Sequence, residues 1–155
     1  MYVFDRTDPG HPVQIARLQH ARACDPVVVS GSTAYVTLRG SSACGNSPDE
    51  LLCVSIKDPA HPKVVGEKLL TTPHGLAVQN RRIYVSHGTG GYSLLNVSDP
   101  VSPAIEKTWS TEATRDFIWS GHTLFVLNER NVSIYDVSDP LDPKLLSRVQ
   151  TGETS

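Results

Sequence analysis

One five-residue pattern, Asp-Pro-x-x-Pro, occurs four times and constrains the fold of this chain more than any other feature. The copies begin at Asp8, Asp58, Asp99 and Asp139, so their separations are 50, 41 and 40 residues. The longer first interval contains a polar insertion, GSSACGNSPDE, at 40–50. Without about nine of these residues the period is uniform near 41, which predicts a tandem structural repeat.

Short apolar runs fill most of the sequence between these corners. Runs such as AYVTL, RIYVS and TLFVL are rich in β-branched residues and bounded by turn residues, which indicates β-strands. Eleven prolines and eleven glycines in 155 residues disfavour long helices. We predict an all-β chain with four strands in each repeat. Equivalent positions align as Val27, Leu76 and Phe117 in the first strand, Tyr35, Tyr84 and Phe125 in the second, and Cys53, Leu94 and Ile134 in the third.

A period near 40 residues with four short strands is typical of a β-propeller blade. The predicted fold is therefore a β-propeller of four-stranded blades with about three and a half blades present; the alternative is an antiparallel sandwich with chance similarity. Before Pro26 the sequence offers only a third strand, YVFD, and a fourth, VQIARLQ. The chain reads as a single propeller segment, 1–155, whose predicted parts are a half blade at 1–23 and blades at 24–72, 73–113 and 114–155.

The corner pattern has a physical explanation. An Asp before Pro is kept out of the helical region and suits the start of a turn, where its carboxylate can accept a hydrogen bond from a free backbone N–H. The second Pro opens the next strand, where a missing donor is tolerated at a sheet edge. The corner is therefore predicted to join the third strand to an outermost fourth strand, with no catalytic role.

The tandem sequences LNVSDPVSP and YDVSDPLDP, preceded by IYVS and LFVL, resemble the LVIVD repeat family of bacterial β-propellers. The segments CDPVVVSGSTAYVTLRG at 24–40 and PHGLAVQNRRIYVSHG at 73–88 resemble a surface-associated subgroup of that family. The resemblance covers essentially the whole chain and implies the propeller fold. It implies no defined activity, because members of the family mostly lack one.

Three and a half blades are too few to close a ring of the usual four to eight, and an open array would expose apolar blade faces. One explanation is that the chain is the C-terminal part of a longer protein with Met1 an internal methionine, which the start in mid-blade favours. The other is assembly of several copies, although a two-fold dimer would duplicate the third and fourth strands of the half blade and lack the first and second. The expected partners are therefore the missing blades of a longer chain or further copies of itself, besides an unknown protein or glycan.

Composition narrows the function classes. The formal net charge is −2 and there is no run of Lys and Arg, so no nucleic-acid partner is expected. No apolar stretch approaches the roughly 18–20 residues of a transmembrane helix, so no transmembrane segment is expected. No phosphate-binding glycine loop, nucleophile elbow or paired metal-ligand spacing occurs, and no cofactor or metal is expected.

The three cysteines, Cys24, Cys44 and Cys53, have different predicted roles. Cys53 aligns with apolar positions of the repeat, so a buried, unreactive thiol is predicted. Cys24 lies opposite Arg39 across the predicted hairpin, and the loop that carries Cys44 leaves from the same end. A Cys24–Cys44 disulfide is therefore geometrically plausible, and it would imply an oxidising, extracytoplasmic compartment. Two free thiols are the alternative.

Candidate binding residues come from the start of each first strand. Six residues before the hairpin positions Gly31, Asn80 and Gly121 lie Asp25, His74 and Arg115, with Asp116 beside them. These side chains should meet at the mouth of the propeller channel, where they could hold an anion, a cation or a polar group of a partner. The alternative is an ordinary wet channel mouth.

The other histidines carry weaker signals. His11 and His61 belong to copies of the corner and are expected on the surface, while His87 and the remaining two fall at scattered loop or strand-end positions. The carboxylates Asp49 and Glu50 are expected to be solvated within the insertion. The leading functional prediction is a non-enzymatic, extracytoplasmic binding or scaffolding surface. The alternatives are a propeller enzyme or metal or anion site at the channel mouth, and a self-assembling, adhesin-like unit.

Overall fold

The structure is a computed structural model that describes residues 1–18, 26–40 and 48–151. The chain is all-β, as predicted: it forms one two-stranded and three four-stranded antiparallel sheets. Among the described residues the only helical segment is a 3-10 turn at Gly88–Gly90, and no helix there is long and apolar enough to cross a membrane. The strands are β1 Tyr2–Asp5, β2 Val13–Arg17, β3 Val27–Ser30, β4 Thr33–Leu38, β5 Glu50–Ser55, β6 Lys63–Leu69, β7 Leu76–Gln79, β8 Arg82–Ser86, β9 Tyr92–Asn96, β10 Ala104–Trp109, β11 Thr114–Ser120, β12 Thr123–Asn128, β13 Asn131–Asp136 and β14 Lys144–Gln150.

Each four-stranded sheet pairs its strands in sequence order, so neighbouring strands are consecutive in the chain. We name the sheets N (β1–β2), 1 (β3–β6), 2 (β7–β10) and 3 (β11–β14). The first hairpin of each full sheet turns at Gly31, Asn80 or Gly121, with φ of 58°, 48° and 58°. A positive φ at this turn matches the right-handed twist of the flanking strands.

The predicted alignment of the repeats is confirmed by the strand register. In sheet 1, Val27 pairs with Val36 and Tyr35 with Cys53. The equivalent pairs recur in sheets 2 and 3: Leu76 with Val85, Tyr84 with Leu94, Phe117 with Val126, and Phe125 with Ile134. A β-bulge follows the same third-strand position in all four sheets, after Val3, Cys53, Leu94 and Ile134. Sheet N therefore corresponds to the third and fourth strands of the full repeat.

The four Asp-Pro corners have one geometry. In each, the Asp carboxylate accepts the backbone N–H two residues later at 2.9–3.0 Å, and its carbonyl accepts the N–H three residues later at 3.0–3.2 Å. The predicted capping role of Asp is confirmed. The fourth strands that follow lie at sheet edges, and β14 is exposed along its whole length.

The sheets pack face to face in chain order around three apolar clusters. Sheet N packs on sheet 1 through Met1 and Leu18, sheet 1 on sheet 2 around Tyr35 and Ile83, and sheet 2 on sheet 3 around Tyr84. The first strands are neighbours, because β3 contacts β7 and β7 contacts β11. The predicted burial of Cys53 is confirmed, with no exposed surface and a pKa raised by burial to about 11.

Candidate functional site

A cavity of about 270 Å³ lies where the first strands of the three full sheets begin. Four of its lining side chains are polar or charged: Arg39, His74, Arg115 and Asp116. Each comes from a chain segment next to a strand end, so the repeat delivers one segment per sheet to the same place. Three of the predicted binding residues, His74, Arg115 and Asp116, therefore lie together in the structure.

His74 lines this cavity, and hydrogen bonds of its main-chain groups hold it in place. Its N–H donates to the Ser86 carbonyl at 2.9 Å, and its own carbonyl accepts the Thr37 hydroxyl at 2.7 Å. The imidazole Nδ1 lies 2.7 Å from Nη1 of Arg39. The same Nη1 lies 3.1 Å from Nε2, so the guanidinium faces the edge of the imidazole and can donate to whichever ring nitrogen is unprotonated.

The electrostatic surroundings keep His74 uncharged at neutral pH. Burial lowers its pKa most, and the charges of Arg39 and Arg115 lower it further, while Asp49 acts weakly in the opposite direction. Desolvation and like charge both disfavour the imidazolium form. The cavity therefore contains two guanidinium groups, a neutral imidazole and the carboxylate of Asp116.

Two glycines make room for this arrangement. A Cβ on Gly75 would lie 2.6 Å from the Arg115 carbonyl oxygen, and the Gly75 N–H donates to that oxygen at 2.9 Å. A Cβ on Gly88 would lie 2.8 Å from Nε2 of His74, and the φ of Gly88 is +57°. Only glycine permits both close approaches. The Pro-His-Gly sequence thus sets both the position of His74 and the contact between sheets 2 and 3.

Arg115 and Asp116 lie at the exposed edge of the cavity. The Arg115 guanidinium forms an ion pair with Glu129 at 2.6 Å, and both side chains are about half exposed. Such a solvated pair holds weakly, so the guanidinium can exchange its partner. One carboxylate oxygen of Asp116 accepts the Phe117 N–H at 2.8 Å.

Sequence reasoning missed Arg39, although a signal for it existed. The same hairpin pairing that placed Cys24 opposite Arg39 also brought Arg39 to this end of sheet 1. Among the described residues Arg39 has no acidic partner in any ion pair. The predicted members Asp25, Cys24 and Cys44 lie outside the described residues, and so does the predicted disulfide.

The expectation that Asp49 and Glu50 are solvated is wrong for Glu50 and holds in part for Asp49. Asp49 is partly buried, and its two carboxylate oxygens accept the N–H groups of Gly40 and Thr72 at 2.6 and 2.8 Å. Glu50 begins β5 and is only 7% exposed. The ordered sheet begins earlier than the polar sequence indicates, because pairing with β4 and β6 continues to Glu50.

His87 is a second residue that sequence reasoning underrated. It is buried, its Nδ1 lies 2.9 Å from the Thr71 carbonyl oxygen, and its Nε2 lies 2.7 Å from the Ser93 hydroxyl. Burial lowers its pKa. In sheet 3 the equivalent pair is Asn128 and Ser133, 3.1 Å apart. A polar pair that recurs with Asn in place of His contributes to the packing of the repeat rather than to catalysis.

No group of three or more His, Cys, Asp or Glu side chains within residues 1–18, 26–40 and 48–151 could hold a metal ion. The surface histidines behave as predicted: His11 and His61 are exposed and bond to the Asp of their own corners at 2.9 and 2.7 Å. Among the side chains that line the cavity, the guanidinium groups of Arg39 and Arg115 can donate hydrogen bonds to an anion, whereas the Asp116 carboxylate can only accept them.

Comparison with known proteins identifies the fold without a function. A crystal structure of a functionally unknown protein from Desulfotomaculum acetoxidans matches 97% of this chain with a TM-score of 0.73 and 15% sequence identity. The chain spans about half the length of that protein, 49%. No protein-family model and no curated protein matches the sequence.

Proposed function

We propose that the chain is a β-propeller segment that acts as a non-enzymatic binding module, with its ligand-facing end at the cavity around His74. The sheets would be successive blades, with β3, β7 and β11 nearest the central axis. Three features support this arrangement: the face-to-face packing in chain order, the adjacent first strands and the solvent-exposed fourth strands. The ends of innermost strands are where propellers usually present ligands.

The ligand class follows from charge and hydrogen-bonding capacity. Arg39 contacts only a neutral imidazole among the described residues, and Arg115 has only an exposed carboxylate as its partner. Guanidinium groups form strong, directional hydrogen bonds to carboxylate, phosphate or sulfate oxygens. The proposed ligand is an anionic group on a partner molecule. The observation that carries this proposal is the placement of Arg39 and Arg115 around one cavity with His74.

Sulfate is the probe for this site, because its charge is constant between pH 5 and 8. Titration followed by isothermal calorimetry should give saturable binding that Arg39→Met weakens about 10-fold or more, as expected for loss of a charge-assisted hydrogen bond. Arg6→Met is the matched control, since Arg6 is an exposed residue in the turn after β1. Equal weakening by both substitutions would refute a specific site.

The pH dependence gives an independent test. The pKa of His74 is lowered, so the ring is neutral at pH 7 and gains a proton only as the pH falls through that lowered value. A bound anion favours the protonated ring, so sulfate affinity should rise from pH 8 to pH 5.5. His74→Gln should remove most of that rise. An unchanged profile in this variant would show that the anion does not bind beside His74.

The resemblance to surface-associated LVIVD repeat proteins and the predicted Cys24–Cys44 disulfide support an extracytoplasmic location for this module. Mass spectrometry of the non-reduced protein tests the disulfide. Alkylation of both cysteines under these conditions would remove that support.

A further inference from the structure

We propose that two copies of this chain associate head to tail, with the free face of sheet 3 in one copy covering the free surfaces of β3 and sheet N in the other. The inference builds on the proposed propeller arrangement but not on the anion site. It starts from the apolar side chains that are exposed at the two ends of the sheet stack. The equivalent side chains of the sheets inside the stack are buried.

The free face of sheet 3 is the first surface. In sheets 1 and 2 this face packs against the next sheet, and Ala77 and Tyr84 of sheet 2 are 7% and 0% exposed. The equivalent residues of sheet 3 are Ile118 and Phe125, and Ile118 is 67% exposed. Leu127 on the same face is 42% exposed. A cavity of about 180 Å³ on this face is lined by Asp116, Phe117, Ile118, Phe125, Leu127 and Val132.

The second surface is the opposite face of β3. Leu76 and Phe117, which occupy the equivalent position in the first strands of the other sheets, are 3% and 5% exposed because each packs on the preceding sheet. Their counterpart Val27 is 49% exposed, and Val29 is 56% exposed. Sheet N covers β4 and β5 but contains only the two outer strands of the repeat. It therefore leaves β3 uncovered.

Sheet N extends this second surface outward. Tyr2 and Phe4 alternate along β1 with Met1, which packs on sheet 1, so they face away from the stack. They are 54% and 49% exposed. Exposed apolar side chains grouped on one face are a feature of protein–protein contact surfaces.

The two surfaces are complementary because the repeat already joins them twice. The face that Ile118 and Leu127 present is the one by which sheet 1 meets sheet 2 and sheet 2 meets sheet 3. The face that Val27 and Val29 present corresponds to the face of sheets 2 and 3 that packs on the preceding sheet. Contact between β11 of one copy and β3 of the other would therefore repeat, at the first strands alone, the contacts of β3 with β7 and of β7 with β11, because sheet N already covers β4 and β5.

A second copy would also supply enough sheets to close a propeller ring. Two copies bring six four-stranded sheets, within the four to eight that close a propeller, with the two-stranded sheets wedged at the rim. The solved protein that this chain matches is about twice as long as the matched region. A head-to-tail contact that closes gives a discrete dimer, whereas one that does not close gives filaments.

The test uses the 155-residue chain in size-exclusion chromatography with light scattering. The wild type should have twice the mass of the chain at micromolar concentration. Ile118→Asp and Val29→Asp should each raise the dimer dissociation constant at least about 100-fold, because an unpaired charge would be buried at both contacts. Val101→Asp is the matched control, since Val101 is 63% exposed in the corner after β9 and belongs to neither surface. Circular dichroism should confirm that the three variants remain folded.

Mixing the two variants distinguishes head-to-tail pairing from other dimers. In a mixed pair, one contact joins the intact sheet 3 face of the Val29→Asp chain to the intact β3 of the Ile118→Asp chain. The mixture should therefore dimerise at concentrations where each variant alone is monomeric. A monomeric wild type, a polymer, dimers resistant to Ile118→Asp, or no recovery on mixing would each overturn the proposal. Sulfate binding by a monomeric protein would leave the anion site standing.

Discussion

Tyr84 joins sheet 2 to sheet 3 through one hydrogen bond, so its removal measures how far the stacking of sheets stabilises the fold. The side chain has no exposed surface, and its hydroxyl donates to the Pro140 carbonyl at 2.6 Å. Its ring lies in an aromatic cluster, 4.9 Å between centroids from Trp119. Tyr84→Phe keeps the ring in place and removes only the hydroxyl.

The expected loss follows from this contact. A net hydrogen bond contributes about 0.5–1.5 kcal/mol, and a carbonyl left without a partner adds to the cost unless water reaches it. Pro140 is half-buried, so water compensates in part. We expect the free energy of unfolding to fall by about 1–1.5 kcal/mol. With a urea m-value of about 1–3 kcal/mol/M, the midpoint should fall by roughly 0.3–1.5 M.

Urea unfolding followed by fluorescence and far-UV circular dichroism provides the measurement. Tyr2→Phe is the matched control, because Tyr2 is 54% exposed and its substitution should stay within about 0.5 kcal/mol of the wild type. If the two variants unfold at the same urea concentration, the Tyr84 contact does not join the sheets in solution and the stacked arrangement loses its support.

Three further predictions concern single positions. Glu50→Gln should raise the melting temperature at pH 7 and raise it less near pH 4. Burial and the nearby Glu67 raise the pKa of Glu50, so wild-type stability is lost as the pH rises through that value. An equal change in melting temperature at both pH values would contradict this. Asp99→Ala should lower stability by about 0.5–1.5 kcal/mol in urea unfolding through loss of the 3.0 Å bond to the Val101 N–H, and no change would mean that the corner is not capped in solution. Gly75→Ala should lower the free energy of unfolding by about 1–3 kcal/mol, because the added methyl group forces sheets 2 and 3 apart. It should also weaken sulfate binding. A variant with wild-type stability and affinity would refute the close approach.

The strand pattern was predictable because the repeat encodes it locally. Tyr35, Tyr84 and Phe125 aligned from sequence occupy one register position, and the Asp-Pro corners form the same turn four times. Local turn chemistry and alternation decide these features, so one sequence suffices. The count of only two strands before Pro26 also predicted the two-stranded sheet N.

The environment of single polar residues was not predictable in the same way. Glu50 looks like part of a solvated insertion, and only its pairing with two strands makes it buried. His87 has no strong local signal, because one partner, Thr71, lies in the connection between sheets 1 and 2, and the other, Ser93, lies on the neighbouring strand β9. Arg39 reaches His74 only after sheets 1 and 2 have packed. Burial and contact between sheets depend on tertiary structure, which the repeat period does not specify.

An experimental structure of the 155-residue chain tests the central claim most directly. We expect β3, β7 and β11 to lie side by side around one axis, with the fourth strands at the rim and with Arg39, His74 and Arg115 at one end of that axis. A two-layer sandwich, in which the first strands are separated and these three side chains lie apart, would contradict both the blade arrangement and the proposed site.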